Sequence, residues 1–235
     1  MNRARTLTLV ILMLAVAAPA GWSQQRKSAD SEQLGKALEY FAAGKYGEAL
    51  NIFEPLSRQY TLNDRFLAYM GVCYWYEWQY DKACKLLDEV VPAMDVYAPH
   101  ERSIYYYAAA ESHFNLGQWR EAIPYYVMQL DVCYDNEKGD AFFRMGFCHM
   151  FLEENAEAYG CFSSALAYYE RYRNTPDMAA RMSQIRTMLP GIEQLVNEQL
   201  TTDNSNESII DEEETDQHSA AGSGDSPAGT VVVLP

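Results

Sequence analysis

Four stretches of the chain share one alternation of apolar and polar positions, each in two apolar halves divided by a short polar turn. They read LGKALEYFAAGKYGEALNIFEPL from Leu34, FLAYMGVCYWYEWQYDKACKLLDEV from Phe66, YYYAAAESHFNLGQWREAIPYYVMQ from Tyr105 and FFRMGFCHMFLEENAEAYGCFSSA from Phe142. Each has a small residue in its first half (Ala37, Gly71, Ala110, Gly146) and a ring three residues later (Tyr40, Tyr74, His113, His149). The turn contains Gly44 or Gly117 in two of the four cases. An alanine then opens the second half (Ala49, Ala83, Ala122, Ala158), and four residues on stands a large side chain (Phe53, Leu87, Tyr126, Phe162). The alanines lie 34, 39 and 36 residues apart. Such a unit predicts two antiparallel helices. The small residues let the pair approach closely, and the ring and the large residue fill the space towards the next pair. One pair cannot bury its apolar face alone, so the units are expected to stack into a superhelix.

These residues resemble the signature of the tetratricopeptide repeat (TPR) family. The second unit matches it most fully, through Leu67, Met70, Gly71, Tyr74, Ala83 and Leu87. The turns Gly44-Lys45-Tyr46 and Gly117-Gln118-Trp119, each leading into Glu-Ala, are also typical of the family. The resemblance covers about Ser31 to Arg171. It implies an all-α, right-handed α-solenoid of about four helix–turn–helix units over residues 31–173. Two departures stand out: a five-residue stretch from Val96 to His100 lengthens the second connection, and Asn155 replaces the ring that usually closes the last turn.

The flanks complete the expected organisation. Thr175-Pro176-Asp177 reads as a helix start, with Thr175 as N-cap and Pro176 in the first turn. Met178, Met182, Ile185, Met188 and Leu189 recur at helical spacing. Residues 175–200 are thus expected to form the capping helix that a solenoid needs, kinked or broken at Pro190-Gly191. From Thr201 to Pro235 there are eight acidic residues and no Lys or Arg, about half of the net charge of −15. Residues 201–235 bury too little to offset their ordering entropy and are expected to be a disordered tail. The solenoid itself is only moderately acidic and has no basic face, which argues against nucleic acid as a partner.

At the other end, Arg3 and Arg5 precede the apolar run LTLVILMLAVAA, and Ala18-Pro19-Ala20 supplies small residues for a signal peptidase. Residues 1–22 are expected to be a cleaved signal peptide, since a bilayer span takes about twenty apolar residues. No later segment is apolar enough, so no integral membrane segment is expected after cleavage. The mature chain is expected to be exported, to the periplasm of a Gram-negative cell or otherwise by secretion. Disulfides persist in such compartments. Cys73 and Cys84 stand at about equal distances from the turn at Trp78-Gln79. They could form a disulfide if their Cα atoms come within about 7 Å; otherwise they are two small buried residues. Cys133, Cys148 and Cys161 show no such symmetry and read as core.

In the tetratricopeptide family the first helix of each unit lines a concave wall. The resemblance places Leu34, Leu38 and Phe41 there, with Ala68, Val72, Trp75 and Tyr76 from the second unit. Tyr107, Glu111, Phe114 and Asn115 follow from the third, and Phe143, Phe147, Met150 and Phe151 from the fourth. An exposed aromatic strip of this kind marks a binding surface. The expected groove residues are Phe41, Trp75, Tyr76, Tyr107, Phe114, Phe143, Phe147 and Phe151, holding a helix or extended peptide of another protein. The competing expectation is that several of these rings pack between helices or under the cap. One variant of the family grips carboxylate ends with Lys, Arg and Asn on this wall. Leu34, Leu38, Ala68 and Val72 at the corresponding places argue against that variant.

An enzyme is not expected. His113 and His149 stand about one repeat apart, too far to share a metal whose ligands converge at about 2 Å. His149 with Glu153 lacks the second histidine of a metalloprotease motif, and no phosphate loop or nucleophile elbow occurs. No metal or cofactor is expected. Two other functions fit the same chain. One is a structural adaptor of an envelope complex, working through the convex surface and acidic tail. The other is a glycan binder, similar to the starch-utilisation lipoproteins only in its helical repeats.

Overall fold

The computed structural model describes the backbone of residues 18–220 and the side chains of residues 29–202. The described residues form nine α-helices and two 3-10 turns, with no strand. The first unit pairs α1 (Ala18–Ala42) with α2 (Tyr46–Gln59), and the second pairs α3 (Asp64–Tyr76) with α4 (Tyr80–Val90). The third pairs α5 (Pro99–Asn115) with α6 (Trp119–Val132), and the fourth α7 (Asp135–Phe151) with α8 (Asn155–Tyr172). The last helix, α9 (Ala179–Ala220), packs on α8.

One turn geometry closes all four units. A residue in the left-handed region ends each first helix: Gly44, Trp78, Gly117 and Glu153, with φ of 70°, 60°, 72° and 61°. The next residue's N–H then reaches back five positions to a carbonyl, from Lys45 to Tyr40, Gln79 to Tyr74, Gln118 to His113 and Glu154 to His149, at 2.9–3.0 Å. This is the Schellman closure that satisfies the orphan carbonyls of a helix end. The fourth unit, whose Asn155 departs from the usual ring, closes like the other three.

Packing within a unit follows the sequence pattern. Phe53, Leu87, Tyr126 and Phe162 are all fully buried, as are the alanines four residues before them. In the second and fourth units the second helix presses its large residue onto its partner's small one. A Cβ added at Gly71 would lie 2.6 Å from Leu87 Cγ, and one at Gly146 2.8 Å from the Phe162 ring. Between units the ring residues do more than fill space. Tyr74 donates to Glu54 Oε1 of the preceding unit at 2.9 Å. His113 Nε2 meets Asp88 Oδ1 of the preceding unit at 2.9 Å. Glu54 and Asp88 both stand five residues after the unit's alanine, so this is one inter-unit bond used twice.

Several expectations are corrected or lie beyond what is described. The long second connection holds a 3-10 turn, Val91–Val96, whose Val91 and Met94 are buried in the core. Thr175 precedes a second 3-10 turn, Pro176–Met178, and its hydroxyl caps no helix N–H. α9 runs unbroken through Pro190. The buried stripe Met178, Met182, Ile185 and Ile192 continues on both sides of the proline, so packing on the fourth unit outweighs the one backbone bond the ring removes. The backbone of α9 remains helical to Ala220, across the start of the segment expected to be disordered. Residues 1–17 of the expected leader, and residues 221–235, lie outside the described residues.

Cys73 and Cys84 are free, buried thiols rather than a disulfide. The hairpin symmetry ignored which way each helix faces. Cys73 lies in the central core cluster beside Tyr46 of the first unit, whereas Cys84 lies near Asp81, Asp88 and Tyr125 of the third. Burial pushes both thiols up to about 12. Among the described residues, no helix is long and apolar enough to cross a membrane.

Candidate functional site: the concave wall

The rings expected on the wall separate into two groups. In the first, Trp75 ends α3 and meets Tyr107 of α5 edge to face at 5.5 Å, and Tyr76 at 4.3 Å. Tyr76 is 45% exposed and stacks on Tyr46 at 3.9 Å, nearly parallel. Burial, with Tyr76 beside it, pushes the Tyr46 phenol up to about 12. Phe41 joins the group through Tyr69 at 4.5 Å and Tyr46 at 5.8 Å. These rings lock one another into a continuous strip across three units, of the kind that keeps aromatic anchors rigid before a partner arrives.

The second group is mostly core. Phe143 is buried against Phe147 and Phe162, at 4.9 and 5.9 Å, and the Arg181 guanidinium of α9 covers its ring at 5.0 Å. It is therefore not part of an open wall. Phe147 is half-buried and packs on Phe162 at 5.1 Å. Phe151 is 44% exposed but rests on Trp119 at 4.6 Å, with Phe114 at 6.4 Å. Phe114 in turn lies under the Arg144 guanidinium at 4.7 Å. Ala68 and Val72 are also buried, as members of the central core cluster.

A paired charge separates the two groups. Glu111 is buried and takes both arms of Arg144, at 2.8 and 2.9 Å, and the Tyr126 hydroxyl at 2.6 Å. Nearby, Asp140 accepts from Tyr169 at 2.8 Å and from Arg173 and Arg181 at 2.5 Å each. The cap is thereby fastened to the start of the fourth unit. Burial pushes the Tyr107 phenol well above its ordinary value, with the Glu111 carboxylate adding to it.

Against the first ring group lies a cavity of about 210 Å3, lined by Trp75, Tyr76, Ser103, Ile104, Tyr107, Gln129, Glu137 and Asp140. It opens between the first helices of units two, three and four. Gln129 enters from α6, 5% exposed, and its Oε1 has no hydrogen-bond partner. Among the larger hollows elsewhere, two have an acidic lining residue that is already paired. In one of about 530 Å3, Asp88 takes His113 and Tyr125. In the other, of about 350 Å3, Asp30 takes Tyr60 and Gln59.

Sequence reasoning missed five of the eight lining residues. Ser103 and Ile104 precede the third aligned block, and Glu137 and Asp140 precede the fourth. Helices α5 and α7 in fact begin six or seven residues before those blocks, at Pro99 and Asp135. A single polar residue within the apolar run PYYVMQL was the one sign that Gln129 is unusual.

No family model matches the sequence, and neither does any curated protein. Solved structures match the fold. A mutant of MamA superposes over 73% of this chain and 94% of its own, with TM-score 0.54 and 15% identity. The apo form of RapI covers 82% of this chain and 74% of its own, at 0.54 and 13%. A further MamA structure covers 76% and 94%, at 0.51 and 12%. Both proteins are TPR-like α-solenoids. So is this chain. At these identities the likeness concerns the fold alone.

Proposed function

We propose that this protein is a non-catalytic interaction scaffold that holds a helix or extended segment of another protein in its concave groove. The strip formed by Trp75, Tyr76 and Tyr107 carries the reading. It is rigid, partly exposed and open to a cavity, while Ala68, Val72 and Phe143 of the same wall are buried. Rigid amphipathic rings around a pocket are the usual anchors of protein interfaces. The binding rings are then Phe41, Trp75, Tyr76 and Tyr107, with Phe114, Phe147 and Phe151 extending the surface. Arg3, Arg5 and the apolar run after them support a place outside the cytoplasm, in the cell envelope or beyond it.

The test is a crosslinking pull-down from the native cell with the mature chain, a form ending at Leu200 and a Trp75→Ala, Tyr107→Ala double variant. The reading expects one partner protein, kept by the truncated form and lost by the double variant with its circular dichroism unchanged. Loss with the truncation alone would make the acidic segment the contact and the protein a structural adaptor. Recovery of bound glycan and no protein would replace the reading altogether.

A further inference from the structure

We propose that the segment held in the groove is extended and proline-rich, with its pyrrolidine rings and backbone carbonyls against Trp75 and Tyr107; this rests on the groove reading above. Hydrogen-bond character carries the argument first. Trp75 and Tyr107 are both half-buried and line the cavity. Among the described residues, neither the Trp75 indole N–H nor the Tyr107 hydroxyl has a hydrogen-bond partner, and neither atom is shut off from solvent. Burial pushes the Tyr107 phenol well above its ordinary value, so its hydroxyl keeps the proton and stays a donor. The other polar groups are in use or out of reach. Ser103 donates to the His100 carbonyl at 2.8 Å, and Glu137 takes the Tyr134 backbone N–H at 3.0 Å. Asp140 holds Tyr169, Arg173 and Arg181, and the Gln129 amide oxygen is sealed from any occupant. What the cavity offers is two donors on apolar rings.

Charge and shape narrow the occupant further. Arg173 and Arg181 together offset Asp140 and Glu137, so the cavity has no net charge to complement and favours a neutral occupant. The Trp75 and Tyr107 rings stand at 82° with centroids 5.5 Å apart, an angled notch with apolar walls. A polyproline II segment brings carbonyls that no internal bond uses, few N–H groups, and rings that are already ordered before binding. An α-helix satisfies its own backbone, so its apolar face would leave both donors unpaired. An ordinary extended chain presents N–H groups beside its carbonyls, and for these the cavity holds only Glu137. The hydroxyls of a glycan raise the same demand.

The test titrates acetylated hexaproline amide into the full chain, with a sarcosine hexamer and maltohexaose as controls. The Trp75 indole N–H is followed by NMR and assigned through Trp75→Phe. Sarcosine lacks the backbone N–H as proline does, but it has no ring and no preset helix. The proposal expects saturable shifts from hexaproline, with a Kd on the order of millimolar or below, and at least tenfold weaker binding of both controls. Tyr107→Phe keeps the ring and removes the hydroxyl. It should lose about three- to tenfold in hexaproline affinity while melting within about 1 °C of the parent. No saturable shift from hexaproline, equal binding of the sarcosine hexamer, or full affinity in Tyr107→Phe would overturn the proposal. Tighter binding of maltohexaose would overturn it too, in favour of a glycan. These outcomes are separable from failure of the groove. If the cellular partner is lost on changing Trp75 and Tyr107, the groove stands whatever the hexaproline result. If the partner survives those changes, the groove reading itself falls.

Discussion

Gly71 and Leu87 illustrate how tightly the units are built. With a Cβ at position 71 only 2.6 Å from Leu87 Cγ, Gly71→Ala should cost about 2 kcal/mol, read as a lower urea midpoint. Combined with Leu87→Ala the loss should be less than the sum, because the smaller side chain removes the clash. Trp78 presents the opposite case. It is 80% exposed and held at φ 60°, where a side chain is strained and glycine is not. Trp78→Gly should gain about 1 kcal/mol, or roughly 3 °C in melting temperature. The buried thiols set an alkaline limit. Burial holds Cys73, Cys84 and Cys148 protonated up to about 12, whereas unfolded thiols ionise near 9. Above about 9 the unfolded chain therefore binds fewer protons than the folded one. Stability, fully present below that value, should fall as the pH climbs towards about 12, seen as a urea midpoint lower at pH 10.5 than at pH 8. At this scale the repeat positions were legible in the sequence because their spacing is fixed by close packing. Orientation was not: Phe143, Ala68 and Val72 match the wall by spacing, yet they are covered by neighbours that belong to other elements.

Among the elements, the four first-to-second helix turns are one design realised with different residues. Glycine supplies the left-handed position twice, so two turns could be read from sequence. At Trp78 and Glu153 the surrounding helices impose it on residues that do not prefer it, and no local signal announces that. The same tertiary override carries α9 through Pro190, where a local reading expects a break. The cap is tied to α7 by Arg181 on Asp140, beside Arg173 from the end of α8, and Arg181 also covers Phe143. Arg181→Ala should therefore cost about 1–3 kcal/mol and speed amide exchange in the first turns of α9 before it affects units one and two. Ending the chain at Leu200 should leave the melting temperature within about 2 °C, since Ile192 is the last buried residue among those described. The boundaries of α5 and α7 were the weakest part of the sequence reading. Their opening turns lie outside the repeated pattern, and those turns supply four of the cavity's lining residues.

Taken as one molecule, the chain stacks four units whose small and large residues pack into buried clusters, and it leaves an aromatic strip partly exposed on the inner side. The stack was legible from spacing alone. The ring strip was legible in part: Trp75, Tyr76 and Tyr107 lie together, whereas the pocket beside them depends on residues from three units that no local pattern connects. A photo-crosslinking amino acid at Tyr107 in living cells, compared with one at the exposed Lys85 of α4, tests the central claim most directly. A scaffold that holds its partner in the groove predicts one crosslinked protein from position 107 and none from position 85. Crosslinks from position 85 alone, or from neither position, would contradict it.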